Sequence, residues 1–239
     1  MATKSYLSPR EQAEEWERVR GWERSASSRP ISQEALQARK ASAKLVQELQ
    51  QAGIPLRDLE EFANVGLMYD AAIPILVGHL SDNYPDLVWS QIARILERTG
   101  PDEMIHRALV GVLHREYSAL SEQTLFSLGL SIAATTPKGD FDSLFELVGN
   151  SKYAAARYGP LQKIAKTKDL RVPQCLERFF DEANEQALWS AVRALRTAKI
   201  CSRRDEAALL THSQNYALRS EVRAYCRACD KHTGQGEAS

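Results

Sequence analysis

Residues 71–100 read AAIPILVGHLSDNYPDLVWSQIARILERTG. Ile73, Leu76 and Leu80 recur at helical spacing, and Ser81-Asp82-Asn83-Tyr84-Pro85 breaks the run. Val88, Ile92, Ile95, Leu96 and Thr99 then fall on one face of a second helix that stops at Gly100. Pro74 stands near the start of the apolar stretch, where a proline is tolerated because a first turn needs no N–H from it. Two short helices with one apolar stripe each bury those stripes by folding into a hairpin. A hairpin this small needs neighbours of its own kind to complete a core.

The rest of the chain supplies such neighbours. An aromatic residue followed at once by a very small one occurs at Trp89-Ser90, Phe126-Ser127, Tyr158-Gly159 and Trp189-Ser190, in steps of 37, 32 and 31 residues. Other doublets exist, Tyr117-Ser118 and Tyr153-Ala154 among them, so the spacing rather than the pairing marks the repeat. A period of roughly 30 to 40 residues without strand signals predicts stacked helical hairpins. Residues 104–114 then pair with 121–135, 141–148 with 152–166, and 172–180 with 186–198, which makes four hairpins in all. Each second helix keeps part of the apolar face: Leu125 and Ile132; Leu161 and Ile164; Leu188, Val192 and Leu195.

On these residues the chain resembles the HEAT-repeat family, in its short bacterial form. There a proline-containing first helix, a turn with aspartate and a second helix ending in Leu-x-x-x-Gly recur, and Pro74, Asp82, Ala93, Leu96 and Gly100 occupy those places. The resemblance spans roughly residues 71 to 200. It departs from the family where a basic residue is common early in the second helix, since Trp89, Phe126, Tyr158 and Trp189 stand there instead. Shifting the third unit by one residue restores the basic residue as Arg157, and Pro160 disturbs that helix in either register. The resemblance implies an all-α chain built as an α-solenoid of about four hairpins, with N-terminal helices and a C-terminal capping helix. In such folds the second helices commonly line a concave binding surface.

The flanks read differently. Residues 1–30 form a polar element. Ser8-Pro9-Arg10-Glu11 is a helix start with the hydroxyl at N-cap and proline at N1, and Trp16 and Trp22 sit among charged residues, either to dock that helix on the body, the preferred reading, or to await a partner. Ser25 to Pro30 is a linker of small polar residues. Residues 31–70 hold N-terminal helices that pack on the repeats: one from Ser32 to a glycine stop at Gly53, then another from about Leu56. The repeats occupy residues 71–202, and residues 203–239 read as a cover for the last hairpin followed by a polar tail.

Composition bounds the function. Of 239 residues 44% are hydrophobic, enough for a continuous core, and no apolar run approaches the roughly 20 residues that cross a bilayer. The expectation is a soluble, cytoplasmic protein. Net charge is zero but unevenly spread: residues 1–149 carry 15 Lys+Arg against 21 Asp+Glu, and residues 150–239 carry 16 against 10. The five histidines include no His-Glu-x-x-His, and neither a phosphate-binding glycine loop nor a Gly-x-Ser-x-Gly elbow is present. No enzyme activity and no cofactor are expected. Cys226 and Cys229 with His232 have a metal-like spacing, but a closed zinc site needs a fourth ligand, from Cys201 or His212. Two reduced cysteines on one helical face are the simpler account. Four cysteines without a secretory signal fit a reducing compartment, and Cys175 reads as core.

The expected site lies on the second helices. At about 100° per residue Trp89 falls at the edge of the apolar stripe, so the four aromatics are expected to hold hairpins together while Ser90, Ser127, Gly159 and Ser190 face outward. The partner-binding residues predicted from this placement are Ser90, Arg94, Arg157, Lys163, Lys166, Ser190, Arg193 and Arg196. That surface suits a partner protein, an acidic one by charge, in the manner of a bacterial adaptor or a toxin-neutralising immunity protein. The alternative is nucleic acid, because HEAT-like solenoids of this length include glycosylases that remove alkylated bases. The missing tryptophan and aspartate cluster and the neutral net charge count against it.

Overall fold

Every regular element among the described residues is helical, and no strand occurs there. The structure, a computed structural model, describes residues 9–26, 31–65, 69–181 and 185–232, with side chains in the first helix at residues 11–20. The Ser8 cap, the Trp22 side chain, most of the expected linker at 25–30 and the tail beyond residue 232 lie outside the described residues.

Among the described residues four helices precede the stretch 71–100: α1 (Pro9–Ala26), α2 (Gln33–Ala41), α3 (Ala43–Gln51) and α4 (Leu59–Asn64). Ser32 caps α2 as expected, its side chain accepting from the Ala35 N–H at 3.1 Å. The single helix expected from there to Gly53 is instead two. Ser42 sits at φ −87°, ψ 2°, and its buried hydroxyl donates to the Ala38 carbonyl at 2.9 Å, a local bond that competes with the helical ladder and lets the chain turn. Gly53, at φ 86°, closes α3 where an L side chain would be strained, and the Ile54 N–H returns to the Leu49 carbonyl at 3.1 Å.

The polar helix α1 docks through one face. Trp16 is buried and donates its indole N–H to the Tyr69 hydroxyl at 2.7 Å. Arg20 reaches the fully enclosed Glu61 of α4 at 2.8 Å and the Pro55 carbonyl at 2.7 Å. Glu61 also accepts from the Arg57 N–H at 2.6 Å, so its buried charge is held from two sides.

The stretch 71–100 forms a hairpin of α5 (Ala72–Gly78) and α6 (Asp86–Leu96), and Gly100 at φ 75° follows the last turn. Further pairs follow: α7 (Glu103–Glu116) with α8 (Glu122–Thr135), α9 (Asp142–Gly149) with α10 (Tyr158–Ile164), and α11 (Val172–Glu177) with α12 (Glu185–Ala198). The segment expected to cover the last hairpin is itself a pair, α13 (Arg204–Leu209) and α14 (Tyr216–His232). Across pairs, α6 packs on α8, α8 on α10, α10 on α12 and α12 on α14. One apolar cluster runs through them, from Leu45 and Phe62 past Ile92, Leu128, Leu161 and Val192 to Val222. Full burial of one such side chain contributes about 1.5 to 3 kcal/mol, which is why the stripes rather than intrinsic helix propensity hold these short helices.

The third second-helix departs from expectation. The spacing predicts it over 152–166, but Ser151–Ala156 is a 3-10 turn with Tyr153 at φ −99°, ψ 29°, and α10 begins at Tyr158. Pro160 explains the late start. It fits the first turn of α10, where its missing N–H removes no helical bond, and it would break a helix that began earlier.

The cysteines also depart. Cys229 of α14 is bonded to Cys201, in the link between α12 and α13, as a disulfide. The expected reduced pair at Cys226 and Cys229 is therefore not found, and the zinc alternative loses a thiolate. Among the described residues no group of three His, Cys, Asp or Glu side chains is arranged to hold a metal, and no helix is long and apolar enough to cross a membrane.

Candidate functional site

The second helices are buried on two sides, against their own hairpin partner and against the next second helix. That reverses the expected placement of the small residues. Ser90, Ser127, Gly159 and Ser190 are buried, and they mark the lines along which successive second helices touch. The Ser90 and Ser127 hydroxyls meet at 3.3 Å between α6 and α8, and Ser131 donates to the Ala93 carbonyl across the same contact at 2.5 Å. Gly159 lies directly on the backbone of Gly129 and Leu130. The Gln162 amide donates to the Ser190 carbonyl at 3.3 Å between α10 and α12. Small side chains here let helix axes approach closely.

Three of the four preceding aromatics, turned about 100° from them, reach toward the surface. Phe126, Tyr158 and Trp189 are half-buried and stack on one another: the Phe126 and Tyr158 ring centroids are 5.2 Å apart with planes 21° apart, and those of Tyr158 and Trp189 are 5.1 Å and 17° apart. One ring from each of α8, α10 and α12 thus forms a ladder across three helices. Trp89 does not join it. It is buried and meets Tyr84 edge-on at 5.6 Å.

Of the eight predicted contact residues, three are enclosed and offer a partner nothing. Ser90 and Ser190 are two of the buried small residues, and Arg157 is only 2% exposed, its guanidinium lying 4.9 Å over the Phe179 ring. Two more are engaged within the chain. Arg94 donates to the Asn64 side chain at 2.8 Å, next to Arg98, which donates to the Phe62, Ala63 and Val65 carbonyls. Both arginines thereby close the C-terminal end of α4. Burial pushes the Arg98 pKa down, and the neighbouring Arg94 charge adds to that. Arg196 pairs with Glu221 at 2.6 Å, tying α12 to α14.

Lys163, Lys166 and Arg193 remain. The Arg193 guanidinium sits 5.8 Å from the Tyr158 ring centre and 5.6 Å from that of Trp189, so it is fixed on the ladder. Lys166 is exposed just beyond the end of α10. Lys163 lies about 140° around α10 from Tyr158 and is partly buried on its flank. Burial lowers its pKa, and the Lys166 charge lowers it further. None of the three has a carboxylate partner among the described residues. Arg193 thus lies on the stacked rings, while Lys163 and Lys166 sit on the flank and beyond the end of α10.

Elsewhere polar clusters serve the fold. His79 is buried between the Tyr84 hydroxyl at 2.6 Å, Glu48 at 3.0 Å and Asp82 at 2.9 Å, which ties α3 to the turn before α6. Burial first, and then Asp82, pushes the Tyr84 pKa up to about 12. His106 bridges the Ile132 carbonyl and Ser143, each at 3.1 Å. The two free thiols, Cys175 and Cys226, have pKa values raised by burial, the opposite of what a reactive thiolate requires. Comparison of the chain with known protein families, curated proteins and solved structures finds no match.

Proposed function

We propose that the chain is a HEAT-like α-solenoid serving as a non-catalytic protein-interaction module, whose second helices hold an acidic partner protein in the manner of an adaptor or a toxin-neutralising immunity protein. The observation that carries this reading is the Phe126–Tyr158–Trp189 ladder with Arg193 upon it. Three large rings already stacked lose little freedom when a partner covers them, and aromatic and arginine side chains are the residues that concentrate binding energy at interfaces. The succession of contacts from α6 to α14 supports the solenoid reading, because each pair touches chiefly its neighbours in sequence.

The rings also favour protein over nucleic acid. Single-stranded nucleic acid is held by free aromatic faces on which bases stack, and the middle ring here, Tyr158, is already stacked on both Phe126 and Trp189. The partner is to be isolated by affinity capture from the native cell, and its affinity measured for Lys163→Glu and Arg193→Glu. Each reversal is expected to weaken binding by roughly tenfold, the loss of one favourable charge contact and gain of one unfavourable one, with helicity by circular dichroism unchanged. Unchanged affinity in both variants contradicts a role for these cations, and nucleic acid co-purifying in place of one stoichiometric protein contradicts the partner class.

A further inference from the structure

At the C-terminal end the turn Leu210–His212 and the helix α14 enclose an open cleft of about 520 Å³. Arg219, Arg223 and Arg227 line it at four-residue intervals, facing Thr211 and His212, with Ser220 between them. Four-residue spacing puts the three guanidinium stems on one face of α14. Arg219 is held in place: it donates to the Ser213 carbonyl at 2.7 Å and lies 5.8 Å over the ring of Tyr216 at the cleft's edge.

Arg223 and Arg227 are exposed, and neither has a carboxylate partner among the described residues. Their surroundings do not share this property. Glu221 and Asp230, the acids of the same helix, are already taken by Arg196 at 2.6 Å and Arg204 at 2.9 Å. Like charges one turn apart on a helix destabilise it, so the chain maintains three in a row at a cost that a bound anion would offset. The donors outnumber what a carboxylate accepts. Three guanidinium groups, the His212 ring and the Ser220 hydroxyl line the cleft, the Thr211 hydroxyl being spent on the Ala208 carbonyl at 2.7 Å, and a phosphoryl group offers three terminal oxygens with the geometry an arginine fork matches.

Shape and charge narrow the ligand further. A concave site of this volume falls in the range of small-molecule pockets, about 300 to 1,000 Å³, and exceeds what a lone phosphate needs. A chain of zero net charge lacks the domain-wide basic excess that drives binding along a nucleic-acid backbone. We propose that this cleft binds a small phosphate-bearing molecule of about nucleotide size, with Arg223 and Arg227 as its principal anchors and Arg219 as a pre-positioned third. The site is separate from the ladder, so its failure leaves the protein-partner reading standing, and the reverse holds.

The test uses the intact chain with pyrophosphate and ADP as probes, titrated calorimetrically at low salt, against Arg223→Gln, Arg227→Gln and the double variant. Saturable one-to-one binding of pyrophosphate or ADP is expected, weakened roughly tenfold in each single variant and lost in the double variant, with unchanged thermal melting. Absence of saturable binding up to about 10 mM, or equal binding by the double variant, overturns the proposal. It is overturned equally if a mixed-sequence oligonucleotide or anionic lipid vesicles bind through these arginines while neither small probe does.

Discussion

Replacing Gly159 with alanine is expected to destabilise the protein by about 3 kcal/mol or more, the upper end of the range for overpacking a buried contact. The Cβ of that alanine would stand 2.5 Å from the Gly129 carbonyl oxygen and 2.7 Å from the Leu130 Cα. Both obstacles are backbone, so no side chain can swing aside, and α8 and α10 would have to separate. Gly129→Ala should behave alike, since its Cβ would overlap the Ala156 carbonyl. Gly111→Ala, in the middle of α7 with open space around it, is the control and should be neutral or stabilising by up to about 1 kcal/mol. Urea unfolding followed by circular dichroism distinguishes the two classes. Equal stability of Gly159→Ala and Gly111→Ala would refute the close α8–α10 contact. That contact matters for the surface, because the Phe126–Tyr158 stack spans the same two helices.

Loss of the Cys201–Cys229 bond should cost about as much. Its two ends are 28 residues apart in sequence. On the chain-entropy model a loop of that length in the unfolded state corresponds to about 3 to 4 kcal/mol. Cys201→Ser, or reduction of the native chain, is expected to lower the unfolding free energy by that amount. Cys226→Ser should leave it nearly unchanged, because Cys226 is not in the bond. Thiol counting under denaturing, non-reducing conditions gives two free thiols if the bond is present and four if it is not. The bond fixes α14 to the α12–α13 link, and thereby fixes one wall of the arginine cleft.

The sequence reading succeeded where one periodicity has one physical cause. The hairpin at 71–100, the Ser32 cap and the glycine stops at Gly53 and Gly100 all rest on local rules, and the structure has each of them. The small residues of the doublets are buried rather than outward because a single apolar stripe does not imply a single buried face. A second helix between two others is buried on two, and a serine at a tight helix crossing has the same periodicity as a serine in water. One signal separated them: Ser127, Ser131 and Thr135 recur every four residues through an apolar helix, a row of small residues along a packing line. The burial of Arg157 and the engagement of Arg94 rest on long-range partners, Phe179 and Asn64, that no local pattern announces. The row Arg219, Arg223 and Arg227 was legible in its spacing but was absorbed into a segment read as a cover. The Cys201–Cys229 pairing depends on tertiary proximity alone.

The central claim is that the stacked ladder is the docking surface, and Trp189→Ala tests it most directly. Trp189 ends the ladder and carries Arg193, so its removal takes away the ladder's largest ring and the support of one cation. Titration of the captured partner against this variant, well below a melting temperature lowered by loss of a half-buried ring, should show affinity reduced by roughly 30-fold, about the 2 kcal/mol of an interface hot spot. Affinity equal to that of the unaltered chain would contradict the account.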